Sequence, residues 1–480
     1  MLFAVPMSDF SVILNNQQQP IPLYKGNRLY SFYAPEKEVA RYIDLKYTNK
    51  KSVIVIGDVG YYLTKALYER NGVKNILVII PKIECLDAPL LEKNIPECVS
   101  ICKTLNKDQI ILQLEKWLNW QLLFDTQILV WENSLKNIPM LIDICQLVYS
   151  YFSQRVATLT TSNYFGFNWI KNAIHHSLYA NSSYQIPMSK KTVALVASGA
   201  SLNNHIGFLK EKQNELTIIC VSSALKTLFH HKVKVDYVVA TDGGYHAKTL
   251  LVPLEREIKN HPPLLITTLH SAKTKYFATT LINQNSSIDK ALGEFHQYSF
   301  NLPETPSVSC TALLIARKLS SLPLLVFGLD LDSENEKIHA TPHPSYDKAH
   351  NKSSKINPIQ NQLYSNYMGS SLNALIRYRE WFIDYQKEDK QWFRVETNGS
   401  PQIDNVISIK QAFKLLSQNK NTEISNGFIA HKKKTITKNE IIKKLCKHKE
   451  SILLDFYPNF DDNKKEKIWN KIVEQNETDN

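Results

Sequence analysis

The feature that most constrains this chain is a repeated unit in which a short, wholly apolar run ends at glycine or a small polar residue and passes into a helical segment. Ser-Val-Ile-Val-Ile-Gly at 52–57 precedes a helix expected from about Tyr62. Thr-Val-Ala-Leu-Val-Ala at 192–197, Leu-Thr-Ile-Ile-Cys-Val at 216–221, Asp-Tyr-Val-Val-Ala at 236–240 and Leu-Leu-Val-Phe at 324–327 repeat the pattern. Runs that are apolar at every position belong to strands covered on both faces, and strands alternating with helices imply a largely parallel sheet. The expected class is α/β. Further strands are expected at 75–80, 127–131, 264–268 and 392–395, and Pro35, followed by Glu36 and Glu38, starts an early helix.

A chain of 480 residues exceeds what one core supports. The two series of strand–helix units divide it into an N-terminal Rossmann-like domain over 1–160 and a central Rossmann-like domain over 165–408. Helical spacing of apolar residues after Ser408 then suggests a small helical C-terminal module over 409–480.

Composition excludes several classes. With 43% hydrophobic and 21% charged residues the chain is neither disordered nor fibrous. Its apolar runs have strand length and fall short of the ~20 residues that span a bilayer, so no membrane span is expected. The first residues, Met1 to Asp9, lack a basic flank and soon meet the polar stretch Asn15–Gln19, unlike a secretory signal, and a cytoplasmic location is expected. Seven scattered cysteines fit reduced, packed thiols. Only Cys98 and Cys102 are close, with a spacing that puts both on one face of a helix, and without a second pair or nearby histidines no metal site is expected. The net charge of +12 gathers in Lys432–Lys449, which reads as a solvated helix face. No basic stripe interleaved with aromatics occurs, and no nucleic-acid partner is expected. Nothing in the chain sets an oligomeric state.

Ligands of open parallel sheets bind beyond the carboxyl ends of the strands, where the strand order reverses. Three polar loops should occupy that edge: Ser198–Asn203, Thr241–Tyr245 and Gly328–Asp332, each directly after an apolar run. Gly199 allows close approach to a phosphate, with Ser201 and Asn203 as donors beside a helix start. No Walker lysine follows, so P-loop chemistry is not supported. Ser222 and Ser223 follow another strand and read either as ribose or phosphate donors or as helix caps. Ser309 and Thr311, at the start of an apolar helix, carry the same two readings, and Gly243 lies in the Asp242 loop. The polar segment after Leu331 holds His339, His343 and His350, of which His339 is the candidate base or phosphate partner. In the first domain, Gly57 and Gly60 make a tight turn that also suits a ligand's approach.

At these residues the sequence resembles the motility accessory factor (Maf) proteins, which share a domain with archaeal hydroxymethyl-dihydropterin diphosphokinases. The likeness spans most of the chain. It rests on 29–41, on the 57–62 glycine loop, on Gly-Ala-Ser-Leu at 199–202 and on Ser-Ser-Ala-Leu-Lys-Thr-Leu at 222–228. Val-Asp-Tyr-Val-Val-Ala-Thr-Asp at 235–242, Ser-Val-Ser-Cys-Thr-Ala from 307, Gly-Leu-Asp-Leu at 328–331, His-Ala at 339–340 and the late loop 396–403 complete it. Ala200 and Val235 replace prolines, Leu329 a glutamine and Ser400 a glycine of the family pattern.

The resemblance implies a sialyltransferase-like central domain that transfers a nonulosonic acid, of pseudaminic or legionaminic type, from its CMP conjugate to Ser or Thr of flagellin. The CMP-activated sugar is then a donor substrate, and no cofactor is implied. His339 becomes the base, with Asp242 and Asp330 as the other catalytic candidates, orienting ribose, sugar or base. Gly199, Ser201, Asn203, Ser222, Ser223, Gly243, Ser309 and Thr311 surround the nucleotide. Two rivals remain. One is a pterin diphosphokinase in which Asp242 and Asp330 hold magnesium beside ATP; the other is a non-catalytic flagellin-binding adaptor.

Overall fold

The structure is a computed structural model, which describes residues 9–70, 72–81, 96–118, 120–179, 183–244, 247–251, 262–274, 277–331, 339–344, 370–397, 399–418, 429–431 and 436–477. The chain divides into two compact units, Met1–Tyr164 with Phe456–Glu466, and Phe165–Asp455 with Lys467–Asn480.

The first unit opens with an antiparallel sheet of β1 (Phe10–Leu14), β2 (Pro20–Tyr24) and β3 (Asn27–Arg28), a piece that the apolar runs did not announce. The polar residues between β1 and β2 make the turn: Asn15 Oδ1 accepts from the amides of Gln17 at 2.9 Å and Gln19 at 2.8 Å. Behind it stand four parallel strands, β4 (Ser52–Ile56), β5 (Asn75–Ile80), β6 (Val99–Lys103) and β7 (Thr126–Val130), in the order β6-β5-β4-β7. Every residue of β4 is buried, as a central parallel strand requires. Cys102 lies within β6 and Cys98 just before it, so their spacing belongs to a strand and not to one face of a helix. Helix Pro35–Lys46 begins at the expected proline and buries Val39 and Ile43.

In the second unit the strands are β8 (Ser183–Gln185), β9 (Thr192–Val196), β10 (Leu216–Val221), β11 (Tyr237–Ala240), β12 (Leu264–Thr267), β13 (Thr279–Asn283), β14 (Tyr298–Asn301), β15 (Leu324–Phe327), β16 (Trp392–Val395), β17 (Val406–Ile407) and β18 (Ile429–His431). Nine of them form one sheet, ordered β14-β13-β12-β11-β10-β9-β15-β16-β17, with every pair parallel. The chain builds outward from β9 to β14, then returns to lay β15 on the other flank of β9. That reversal is the switch point, and it places the ends of β9 and β15 side by side.

Helix Val308–Leu319 connects β14 to β15 and lies over β9, β10 and β11, burying Cys310, Ala312, Leu313, Ile315, Ala316 and Leu319. A helix that returns antiparallel to its strands starts at their carboxyl edge, so its first turn stands over the ends of β9–β11. Beyond the sheet, helix Ile409–Gln418 buries Ala412 and Leu416 in the core of the nine-stranded sheet. Helix Lys438–Lys447, started by a Thr437–Glu440 capping box, ties Lys444 to Glu294 at 2.5 Å. A small helical C-terminal region is present, whose residues up to Asp455 and from Lys467 belong to the second unit and whose residues 456–466 belong to the first. Among the described residues no helix is long and apolar enough to cross a membrane.

Candidate functional site

The switch point joins the loops that leave β9 and β15. Gly328, at φ 68°, turns the chain sharply after β15. The amide of Gly199 donates to the Gly328 carbonyl at 2.8 Å. A Cβ on Gly199 would lie 2.5 Å from Asp330 Oδ2 and from the Gly328 oxygen, so the two loops approach this closely only because residue 199 has no side chain.

Asp330 fills the gap between them. Its Oδ2 accepts from the Ser201 amide at 2.9 Å, and its Oδ1 accepts from Ser201 Oγ at 2.5 Å and from Thr397 Oγ1 at 2.8 Å. The carboxylate therefore stands at the start of helix Leu202–Lys212, where the positive helix end favours an anion. The sequence placed a phosphate there. In the structure the Asp330 carboxylate occupies that position and, with Ser201 and Thr397, holds the two loops together.

Arg394 braces the same loops from below. It is 1% exposed, and its guanidinium donates to the carbonyls of Gly399 at 2.7 Å, Ser400 at 2.9 Å, Leu329 at 3.3 Å and Ile403. Burial pulls its pKa down to about 10 against the opposing pull of Asp330, which still leaves it charged. Sequence reading missed Arg394 and Thr397, since an arginine within an apolar strand carries no local sign of what it will meet.

On the β10 side of the switch point a hydroxyl–imidazole cluster forms. Ser223 Oγ donates to Ser198 Oγ at 2.9 Å, and Ser198 Oγ lies 3.2 Å from His339 Nδ1. The His339 segment is latched down by an antiparallel bridge to Gly199. The Ala340 amide donates to the Ser198 carbonyl at 2.9 Å, the Thr341 amide to Asn203 Oδ1 at 3.0 Å, and Thr227 Oγ1 to the Pro342 carbonyl at 3.1 Å. His339 and His343 stack with ring centroids 4.1 Å apart. Burial lowers the pKa of His339 despite the hydrogen bond at Ser198, and burial with the charges of His339 and Lys226 pushes that of His343 down to about 3. Both rings are neutral at pH 7, and a neutral imidazole is able to take a proton. His350 and Asp332 lie outside the described residues.

Two strands further along the same edge, roughly 10 Å away at ordinary strand spacing, exposed Asp242 accepts from the Gly244 amide at 2.7 Å. Gly243 is a packing glycine: a Cβ there would run into the His270 carbonyl and the Trp169 ring, and its carbonyl accepts from Asn172 Nδ2 at 3.2 Å. Ser222 is buried and Ser223 faces the cluster. The cap of helix Val308–Leu319 is Ser307, whose hydroxyl accepts from the Cys310 amide at 3.3 Å. Ser309, in its first turn, is half-buried, while Thr311 is 1% exposed and shares a 2.6 Å hydrogen bond with Thr305. The structure thus gathers Gly199, Ser201, Asn203, Ser223, Asp330 and His339 around the switch point and leaves Asp242 and Ser309 on the same edge. Ser222 and Thr311 are buried, and half-buried Gly243 packs against His270 and Trp169. Tyr245 lies outside the described residues.

The glycine loop of the first unit closes on itself. Buried Asp58 accepts from the Thr64 amide and hydroxyl, both at 2.6 Å, from the Leu63 amide at 3.2 Å and from Tyr30 Oη at 2.5 Å. The amides at the start of helix Tyr62–Tyr68 are therefore taken by the chain's own carboxylate. Burial raises the pKa of Asp58 against the lowering effect of those donors.

Comparison with known proteins agrees with this architecture. Residues 167–336 match the family described as 6-hydroxymethylpterin diphosphokinase MptE-like. The solved structure of the Maf glycosyltransferase from Magnetospirillum magneticum AMB-1 is similar at a TM-score of 0.51 and 15% identity, covering 94% of this chain and 77% of that one. No curated protein sequence gives a significant match. The chain therefore carries an MptE-like domain over residues 167–336 and shares the α/β fold of the Maf glycosyltransferase.

Proposed function

We propose that this protein is a cytoplasmic glycosyltransferase that moves a nonulosonic acid from its CMP conjugate to Ser or Thr of flagellin. The observation that carries the reading is the cluster of Ser198, Ser223, Asn203 and neutral His339 beside the switch point of a parallel sheet. Support also comes from the shared fold and from the motif order of the sequence. In the reaction His339 takes the proton of the acceptor hydroxyl as its oxygen bonds to the anomeric carbon. The bond from that carbon to the CMP phosphate oxygen breaks, and the electron pair leaves with the phosphate. Ser223, Ser309, Lys226 and the first turn of helix Val308–Leu319 are the groups available to meet its growing charge. Asp242 orients the sugar or ribose from the adjoining loop.

The test is the intact mass of flagellin from cells with and without this gene. Loss of a nonulosonic acid increment supports the reading, and an unchanged mass refutes it. His339→Ala that leaves the flagellin glycan intact would favour a flagellin-binding adaptor instead.

The match to an MptE-like domain favours a second reading, a pterin diphosphokinase with Asp242 and Asp330 on magnesium. For that, Asp330 must release the Ser201 and Thr397 hydroxyls that its Oδ1 now accepts. Thermal protection by magnesium ATP and not by CMP would support the diphosphokinase.

A further inference from the structure

His205 stands one helical turn after Ser201, on helix Leu202–Lys212, and is 1% exposed. Its ring meets Phe327, the last residue of β15, edge-on at 5.5 Å between centroids. Its Nε2 lies 3.8 Å from Glu396 Oε2, just beyond the end of β16. Neither ring nitrogen makes a hydrogen bond of good geometry. Burial lowers the pKa of the ring and outweighs the Glu396 carboxylate, Asp330 and the Ser201 carbonyl, which favour its protonated form. A neutral imidazole has one N–H and can serve only one acceptor, whereas an imidazolium has two.

The two acceptors belong to different elements of the switch point. Ser201 begins helix Leu202–Lys212, and Glu396 precedes Thr397, whose hydroxyl holds Asp330, which in turn holds Ser201. Glu396 is itself fixed: it sits at φ 38°, and its Oε1 accepts from the Ile409 amide at 2.7 Å. The charged groups facing His205 are Glu396 from the β16 loop and Asp330 from the β15 loop. Arg394 of β16 turns its guanidinium away to the Leu329, Gly399, Ser400 and Ile403 carbonyls.

We infer that His205 is a proton-operated positioning residue, whose charged form ties the start of helix Leu202–Lys212 to Glu396 and so fixes the Ser198–Ser201 loop for an anionic ligand. This rests on the switch point being the ligand site. An anionic ligand held by that loop favours the ordered, protonated arrangement and so raises the affinity of the ring for a proton. By linkage, protonation raises the affinity for the phosphate to the same degree.

Two measurements on the full chain test it. In the ligand-free protein with 13C-labelled histidines, the resonance lost in His205→Gln should titrate at lower pH in Glu396→Gln than in the wild type. Titration that Glu396→Gln leaves unmoved overturns the inference. In the second measurement, CMP affinity followed from about pH 7.5 to about pH 5.5 should strengthen more in the wild type than in His205→Gln, by about tenfold. Protonation of the CMP phosphate is common to both proteins and cancels in that comparison. Parallel profiles overturn the inference, because Gln fills the cavity and keeps a donor but cannot titrate. Failure of CMP to bind at any pH would instead refute the ligand class proposed above, while the ligand-free titration would still decide the part played by His205.

Discussion

Replacing Asp330 by Asn separates a loop-holding carboxylate from a catalytic one. Asp330 accepts three hydrogen bonds, from the Ser201 amide, the Ser201 hydroxyl and the Thr397 hydroxyl. Asparagine keeps the shape and one acceptor oxygen. That oxygen must face the Ser201 amide, which cannot reverse its role, and the new NH2 then obliges both hydroxyls to accept. All three contacts survive as neutral bonds, each roughly half as strong as its charge-assisted counterpart. With ~1.5–3 kcal/mol for a bond to a charged group, the loss over three halved bonds is about 2–4.5 kcal/mol, and Arg394 loses the nearby negative charge that supports its ionisation. Urea unfolding of wild type and Asp330→Asn, with Thr397→Val as a smaller step in the same direction, reads this directly. CMP affinity should fall in both variants, since the Ser198–Ser201 loop loosens. If Asp330→Asn abolishes transfer while stability stays within about 0.5 kcal/mol of wild type, the positioning argument is wrong and Asp330 acts on substrate.

Four further outcomes follow from the structure. Arg394→Met should destabilise the second unit by more than about 3 kcal/mol, because four carbonyls around a buried site lose their donor; urea midpoints check this. His176 is 2% exposed, and burial pushes its pKa down to about 4. The unfolded chain then binds the proton more readily, so this contribution is complete above about pH 6.5 and declines as pH falls toward 4. A displacement from 6.5 to about 4 is worth about 3 kcal/mol, and His176→Gln should flatten the pH dependence of the urea midpoint over that window. Gly243→Ala should destabilise by about 2 kcal/mol or more through collision with the His270 carbonyl and Trp169. Gly207→Ala, a helical position where a Cβ would meet nothing within 4 Å, should stabilise by about 0.5–1 kcal/mol; thermal melts distinguish the two.

The strands legible in the sequence are the fully buried ones. β4, β5, β9, β10, β11, β12 and β15 are apolar at nearly every position because helices or sheet neighbours cover both faces. β14, at the sheet margin with the half-exposed sequence Tyr-Ser-Phe-Asn, and β6, with Val-Ser-Ile-Cys-Lys, went unread because mixed polarity at an edge resembles a loop. The forty-residue helix Met140–Tyr179 was also missed; its apolar residues drift around the helix and offer no steady stripe. Of the site, the loops after β9 and β15 were legible from glycine and small polar residues directly behind buried runs. Arg394, Thr397 and His205 were not, because each takes its meaning from partners outside its own segment.

Local sequence settled that this chain builds α/β units, where its buried strands fall and which loops leave their carboxyl ends, because burial and turn chemistry act over a few residues. Tertiary structure alone decided that β15 returns to the flank of β9, bringing Asp330 onto Ser201 across 129 residues of chain. Strand order is a property of how whole surfaces pack, and no stretch of sequence encodes its own neighbour. That is why the meeting of Asp330 with the helix start, which depends on which strand lies beside β9, shows in the structure and not in either loop.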